Sequence, residues 1–562
     1  MWAKNALFIA VCLAGAGTLA NSLLRRDRIE RPGSFEPGRF EVTGAGNSGP
    51  AGADGTYRAT LDMLNAEFRD HWQKKGLEVA PRADDLTLAR RMSLALVGTV
   101  PSLEEIRALE AVAPEQRVEY WTSHLLEDRR FSDYWAERMA RAYAPPGNSP
   151  FIVFRRRRFT MWLSDNIRGN RPYDEIVRQM LSESGVWTGK PAANFVTATS
   201  DPNRDNQPDP VLLAGRTARA FLGMRIDCLQ CHDDKLGTIM LGSAEKIHSG
   251  TQADFHQLAA FFGQTRVQLT GVQEESKQQY RVKYLNAEKE EVVSSEVPFS
   301  AELMDENGSR REQLARWVTH PQNKPFARAT VNRVWALLLG KPLVEPIDDI
   351  PLVGKYPPGF QLLADDFVAS GYDLQRLIRL IVASDAFQRD SRAEFEITDK
   401  HENEWAVFPL TRLRPEQMAG SLVQASCLTT VDGHAHIIQQ VTKFGQINDF
   451  VSRYGDLGQD EFTNRAGTIP QRLLMMNGEL MRDRTGENLV MNASTRIASL
   501  IGKPEKRIEA AYLSTLTRRP TAEELQYFVA RFADREADRN QTQAMEDLFW
   551  SLMNSTEFTW NH

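Results

Sequence analysis

Val118-Glu-Tyr-Trp-Thr-Ser-His-Leu-Leu126 sets Val118, Trp121, Leu125 and Leu126 at the i, i+3, i+7, i+8 spacing of one helical face. Upstream, Ser102-Leu-Glu-Glu105 follows Pro101 as a capping box that opens another helix. Downstream the spacing returns at Leu374, Leu377, Ile378 and Ile381, and again at Met545, Leu548, Phe549 and Leu552. Thr521-Ala-Glu-Glu524 repeats the capping box. One apolar stripe per segment predicts helices that each bury a single side, hence a mainly α fold. Only the stretch from Arg266 to Pro298 changes period. There Val267 and Leu269, then Tyr280, Val282 and Tyr284, alternate with polar residues, and Leu285-Asn-Ala-Glu-Lys289 supplies a turn. A small β-hairpin or three-stranded insert is expected, dividing two helical domains.

The chain has 562 residues, too many for one ordinary core. Its 42% hydrophobic and 25% charged content excludes a mainly disordered chain and a multi-span membrane protein. With 68 Lys and Arg against 74 Asp and Glu, the net charge of −6 offers no broad basic field, so no nucleic-acid partner is expected. Met1-Trp-Ala-Lys4 followed by the apolar run from Asn5 to Leu24 reads as an export signal or a membrane anchor. A stretch rich in glycine and proline follows. The expected organisation is a signal or anchor at 1–24, a flexible tether at 25–56, a helical domain at 57–265, the β-rich insert at 266–300 and a second helical domain at 301–562. The protein is expected outside the cytoplasm, in the periplasm or at the cell surface.

Four cysteines cannot build a disulfide scaffold in a chain of this length, but two of them sit in Arg225-Ile-Asp-Cys-Leu-Gln-Cys-His-Asp-Asp-Lys235. Cys228-x-x-Cys231-His232 is the attachment pattern for haem c. Two thiols three positions apart can each add to one vinyl group, and the adjacent imidazole is then carried to the iron. Attachment takes place outside the cytoplasm, which agrees with an exported chain. Zinc held by Cys228, Cys231 and His232 with a distant fourth ligand, or a local redox disulfide, are the open alternatives. Met240, His256, Met224 and His248 are the candidates for the distal iron position.

The residues around this motif resemble a known pair of families. Thr217-Ala-Arg-Ala-Phe-Leu-Gly223, the cysteine motif, Leu258-Ala-Ala-Phe-Phe262, Arg90-Arg-Met-Ser-Leu-Ala-Leu-Val-Gly-Thr-Val-Pro-Ser102 and Asn170-Arg-Pro-Tyr-Asp174 resemble the planctomycete secreted cytochrome-type domain of unknown function. Ala327-Arg-Ala-Thr-Val-Asn-Arg-Val-Trp335, Leu339-Gly-Lys-Pro-Leu-Val344, Gly371-Tyr-Asp-Leu-Gln-Arg-Leu-Ile378, Leu513-Ser-Thr-Leu-Thr-Arg-Arg-Pro520 and Asn554-Ser-Thr-Glu-Phe558 resemble the secreted domain that usually follows it. The resemblance implies export and a cytochrome-like motif, without an assigned activity. Members commonly read Cys-His-Asp-His-Lys, whereas this chain has Asp234 at the second histidine.

Arg155-Arg-Arg-Arg158 is a candidate for neutralising haem propionates or an acidic partner, against the plainer reading of a solvated helix face. Arg333 is expected to pair with Asp348 or Asp349, and Cys427 with His434 and His436 forms a weaker metal candidate. The functional expectation is an exported c-type haem protein in electron transfer or haem-dependent oxidoreduction. Its partner is a redox protein, a small molecule or a carbohydrate. The rivals are a non-haem binding or scaffold protein with a zinc or disulfide motif, and a carbohydrate-active enzyme.

Overall fold

A helix that is buried along most of its length lies at the centre of its domain. That helix is Lys324–Leu339, which buries Phe326, Ala327, Val331, Val334, Trp335 and Leu338 together. Gly340, at φ +79°, ends it. A Cβ there would strike Thr411, so the left-handed turn needs glycine for space as well as for conformation. In the computed structural model, residues 52–562 are described apart from 145–153, 201–204, 244–245, 286, 432–449, 452, 455–461, 463–467, 490–491 and 534–537. The signal or anchor at 1–24 and most of the tether at 25–56 lie outside the described residues, as do His434 and His436.

The protein is mainly helical, as its stripes predict. The leading helices are α1 (Gly52–Lys75), α2 (Asp85–Leu96), α3 (Leu103–Glu110), α4 (Arg117–Glu127) and α5 (Arg129–Tyr143). Ser102 and Glu105 close the expected capping box at the start of α3, and Thr521 and Glu524 exchange the same two bonds. α4 buries Trp121, Leu125 and Leu126, the stripe that predicted it. The site region then runs through α6 (Pro210–Thr217), a π-helical turn at 218–222, the hairpin β1 (Met240–Ser243) with β2 (Lys246–Ser249), and α7 (Gln252–Ala259). The insert holds two separate antiparallel pairs: β3 (Thr265–Gln268) with β4 (Gly271–Glu274), and β5 (Arg281–Val282) with β6 (Glu291–Val292). The central helix Lys324–Leu339 is α8.

The insert does not divide two cores. One apolar cluster runs from Leu64 through Phe221, Phe255 and Trp335 to Phe408, on both sides of residues 266–300. A second gathers Leu94, Val100, Leu422, Ile508, Met545 and Phe558. Residues 57–562 form one compact unit accordingly. Periodicity marks the face each helix buries but not the helix it meets. α2 takes part in both clusters, with Met92 in one and Leu94 in the other.

Two neighbouring arginines of α2 tie the late chain to the early chain. Arg90 is fully buried and donates to the carbonyls of Thr515 (2.9 Å) and Phe558 (3.1 Å). Arg91, also fully buried, donates to Arg389 (2.9 Å), Phe387 and His562, with its guanidinium 3.5 Å over the Phe408 ring. Beside them β7 (Thr411–Arg412) pairs with β8 (Trp560–Asn561). Each buried hydrogen bond from a charged donor contributes about 1.5–3 kcal/mol.

Candidate functional site

Cys228-Leu-Gln-Cys231 stands on a short 3-10 turn, Asp227–Gln230, closed by the Cys231 N–H donating to the Cys228 carbonyl at 3.2 Å. In such a turn residues three apart eclipse, so Cys228 and Cys231 rise on one edge. Both are free and exposed, whereas Cys427 is buried. Leu229, between them, points the other way and is fully buried. A Cβ on Gly250 would touch Leu229, Ile239 and Leu241, so glycine is what lets β1 and β2 close over that leucine. Burial raises the Cys228 thiol above its ordinary pKa, and the carboxylates of Asp234 and Asp227 push the same way. The thiol is therefore held protonated, unlike an activated redox cysteine.

His232 is exposed, and its Nδ1 lies 2.9 Å from the Asp233 carbonyl. A carbonyl only accepts, so Nδ1 carries a proton, and in the neutral ring the lone pair is on Nε2. Metal-binding histidines commonly show this arrangement.

Asp234 does the work of holding the following loop. Its carboxylate accepts from the N–H groups of Leu236 (3.0 Å) and Ile239 (2.6 Å), and its own N–H donates to the Gly250 carbonyl (2.8 Å). Those backbone donors hold the exposed carboxyl below the usual aspartate range.

His256, a distal candidate, is a brace in this structure. It is 4% exposed. Its Nε2 lies 3.1 Å from the Gln230 carbonyl and its Nδ1 2.8 Å from the Tyr280 hydroxyl. Nε2–H therefore donates to Gln230, inside the cysteine motif, and Nδ1 accepts from Tyr280 in the insert. Burial lowers the His256 pKa, which keeps it neutral in this role. Gln252 adds a second donor to the Gln230 carbonyl at 3.1 Å. Among the other distal candidates, Met224 is buried in the core, and His248 faces Asp254 at 3.1 Å. Met240 is exposed, and the register puts it on the same face of the hairpin as exposed Ile247.

Behind the motif, α6 presses on Asp227. A Cβ on Gly215 would sit 2.5 Å from the Asp227 carboxylate. Arg219 pairs with Asp227 at 2.6 Å and reaches Asp348 at 3.5 Å, while Arg225 pairs with Asp348 at 2.6 Å. The Ile350 N–H donates to the carbonyl of Gly223 at 2.7 Å, and Gly223 has φ +63° with Ile350 and Ala329 too close for a Cβ. Asn332 of α8 fixes this loop by donating to the Val344 (2.8 Å) and Ile347 (3.1 Å) carbonyls. The expected pairing of Arg333 with Asp348 or Asp349 is thus corrected. Arg225 and Arg219 pair with Asp348, and burial leaves Asp349 with a raised pKa. Nothing in the local spacing around Arg333 showed that arginines more than a hundred residues earlier would arrive there.

Two further features bear on a prosthetic group. Among the described residues no group of three or more His, Cys, Asp or Glu gathers as a metal site. In α6, the guanidinium Nη1 of Arg216 is sealed from solvent with no hydrogen-bond partner. In the Arg155–Arg158 run, Arg156 pairs with Glu137 and Arg157 and Arg158 are exposed. Exposed paired thiols, an imidazole with a spare nitrogen and an unmet buried cation together fit a group with an apolar ring, a metal and acidic arms.

Residues 64–267 match the family model PSCyt2, described as a protein of unknown function (DUF1549), and residues 310–466 match PSD1, a protein of unknown function (DUF1553). The first match contains the cysteine motif and the second contains Asp348 and Asp349. No curated protein and no solved structure matches the chain.

Proposed function

The chain belongs to the paired PSCyt2 and PSD1 families, and from that premise we propose that it is an exported protein carrying one haem c and serving in electron transfer or haem-dependent oxidoreduction. Cys228 and Cys231 would hold the haem through their sulfurs, and His232 Nε2 would bind its iron. The observation that carries this reading is the edge on which both free thiols stand exposed, next to an imidazole whose other nitrogen is already committed. The haem supplies one-electron redox chemistry at its iron.

The chain's own residues do the positioning. Leu229 plugs the turn into the core, His256 and Gln252 hold the Gln230 carbonyl, and Asp234 fixes the loop beyond His232. Met240 is the distal candidate this surface favours, because it is exposed on the hairpin that follows the motif. The loop from Val344 to Ile350 backs the segment leading into the motif, so the PSD1 part sets the motif's foundation. A zinc scaffold has less support, since among the described residues no group of three or more His, Cys, Asp or Glu gathers as a metal site. A carbohydrate-active enzyme has less still, since Asp348 is engaged by two arginines.

The test is export of the chain from a host with c-type haem maturation, followed by acid–acetone extraction and a pyridine haemochrome spectrum. Haem that stays with the protein, and is lost in Cys228→Ser/Cys231→Ser, supports the proposal. A colourless protein with stoichiometric zinc overturns it.

A further inference from the structure

Arg216 is a residue whose guanidinium meets no acceptor among the described residues. It lies in α6, next to Gly215, where a Cβ would strike the Asp227 carboxylate, and Asp227 leads directly into Cys228. Its residue surface is partly open, yet Nη1 is shut off from water and meets no acceptor. Among the described residues no carboxylate compensates it, and burial pulls its pKa down to about 10. A guanidinium has five donors in a planar fork and does not lose its proton near neutral pH, so burying it unpaired is costly. Buried charges are ordinarily paired, so an anion from outside the chain would complete this one.

Resting on the haem reading, we infer that Arg216 is the binding residue for a haem propionate. The match is chemical. A propionate is a carboxylate on a short arm, and guanidinium–carboxylate pairing is bidentate. It is also positional, because α6 backs the residue before the first cysteine, and Arg219, one turn on, already reaches across to Asp227 and Asp348. Arg219 has its carboxylates; Arg216 has none. The four-arginine run at 155–158 is not needed for this, since Arg156 is spent on Glu137.

The experiment compares wild type with Arg216→Met and Arg216→Gln in the full chain, exported from two hosts, one with and one without c-type haem maturation. In the haem-free protein, removing an uncompensated buried charge raises the thermal midpoint. In the haem-loaded protein the same substitutions lower it. The redox midpoint of the wild type stays flat around neutral pH, because a paired propionate stays ionised. In the variants the propionate titrates near neutrality, and at the alkaline end the ferric form gains about tenfold, about 59 mV for one electron. Two results overturn the inference while leaving haem attachment standing: superimposable redox profiles, or equal destabilisation of both forms. Failure of both variants to fold also overturns it, since the chain itself would then be holding Arg216. A wild type that takes up no haem under competent maturation sinks the proposed function instead, and is recognised before any variant is compared.

Discussion

Two sets of buried arginines behave in opposite ways. Arg90 and Arg91 are wholly enclosed, yet between them they donate to the carbonyls of Thr515, Phe558, Phe387, Arg389 and His562. Each still leaves one sealed nitrogen unmet, Arg90 Nε and Arg91 Nη2, but the rest of each guanidinium is used. Arg216 donates to nothing among the described residues. The first pair closes the molecule with groups the chain itself provides. The second region, from Arg216 to the exposed thiols of Cys228 and Cys231, has donors, nucleophiles and a ligand nitrogen that the chain does not satisfy. The contrast is in the guanidinium groups themselves: Arg90 and Arg91 spend most of theirs on backbone carbonyls, whereas that of Arg216 is where the proposed propionate would bind.

The largest effect that sharpens this contrast is at Arg91. Arg91→Met strands several buried carbonyls and should cost about 3–5 kcal/mol in urea unfolding. Arg216→Met in the haem-free chain should have the opposite sign. Equal losses at both positions would erase the distinction.

Next comes acid. Glu105, buried between Ser102, His124 and Arg130, is lowered to about 2 despite a burial penalty that opposes it. A lowered carboxylate contributes stability that is complete above the ordinary value near 4.5 and disappears as pH falls toward 2. Wild type should therefore lose on the order of 2–3 kcal/mol across that window. Glu105→Gln should start lower at neutral pH and show a flatter acid limb, read by thermal unfolding against pH. Parallel curves would remove Glu105 from the self-satisfied part of the molecule.

His256→Phe probes the motif side. Losing the donor to Gln230 and the acceptor for Tyr280 should cost about 1–2 kcal/mol. It should also speed alkylation of Cys231 in haem-free protein, while haem attachment persists. A changed iron spin state in the haem-loaded protein, with unchanged folding, would instead make His256 a ligand. The smallest effect is expected at Asp234→His, which exchanges a carboxylate accepting backbone N–H groups for an imidazole. Global stability should fall by less than about 1 kcal/mol, with faster proteolysis confined to residues 234–239.

Much of this was legible in the sequence, and the reasons are specific. Trp121, Leu125 and Leu126 announced their helix because a period of 3.6 is a local property. Cys228, Cys231 and His232 could be picked out as a candidate site because their residue types are scarce and their spacing is chemical. The insert's strands appeared where alternation appeared, although as two hairpins. What stayed hidden depends on distant partners. His256 offered itself as a distal ligand, and became a brace only because Gln230 and Tyr280 converge on it. Asp234 looked like a lost histidine until Ile239 and Gly250 closed around it. Asp348 was assigned to Arg333 on proximity in sequence, and went to Arg225. Arg216 carried no local sign at all, since an arginine in a helix is ordinary until its surroundings seal it.

The account stands or falls on the covalent state of one peptide. Protein exported through a competent c-type haem pathway should yield, after proteolysis and mass spectrometry, a fragment spanning Cys228 to His232 that is heavier by one haem and has no alkylatable thiol. The same fragment recovered at its bare mass, with Cys228 and Cys231 both alkylated, would contradict it.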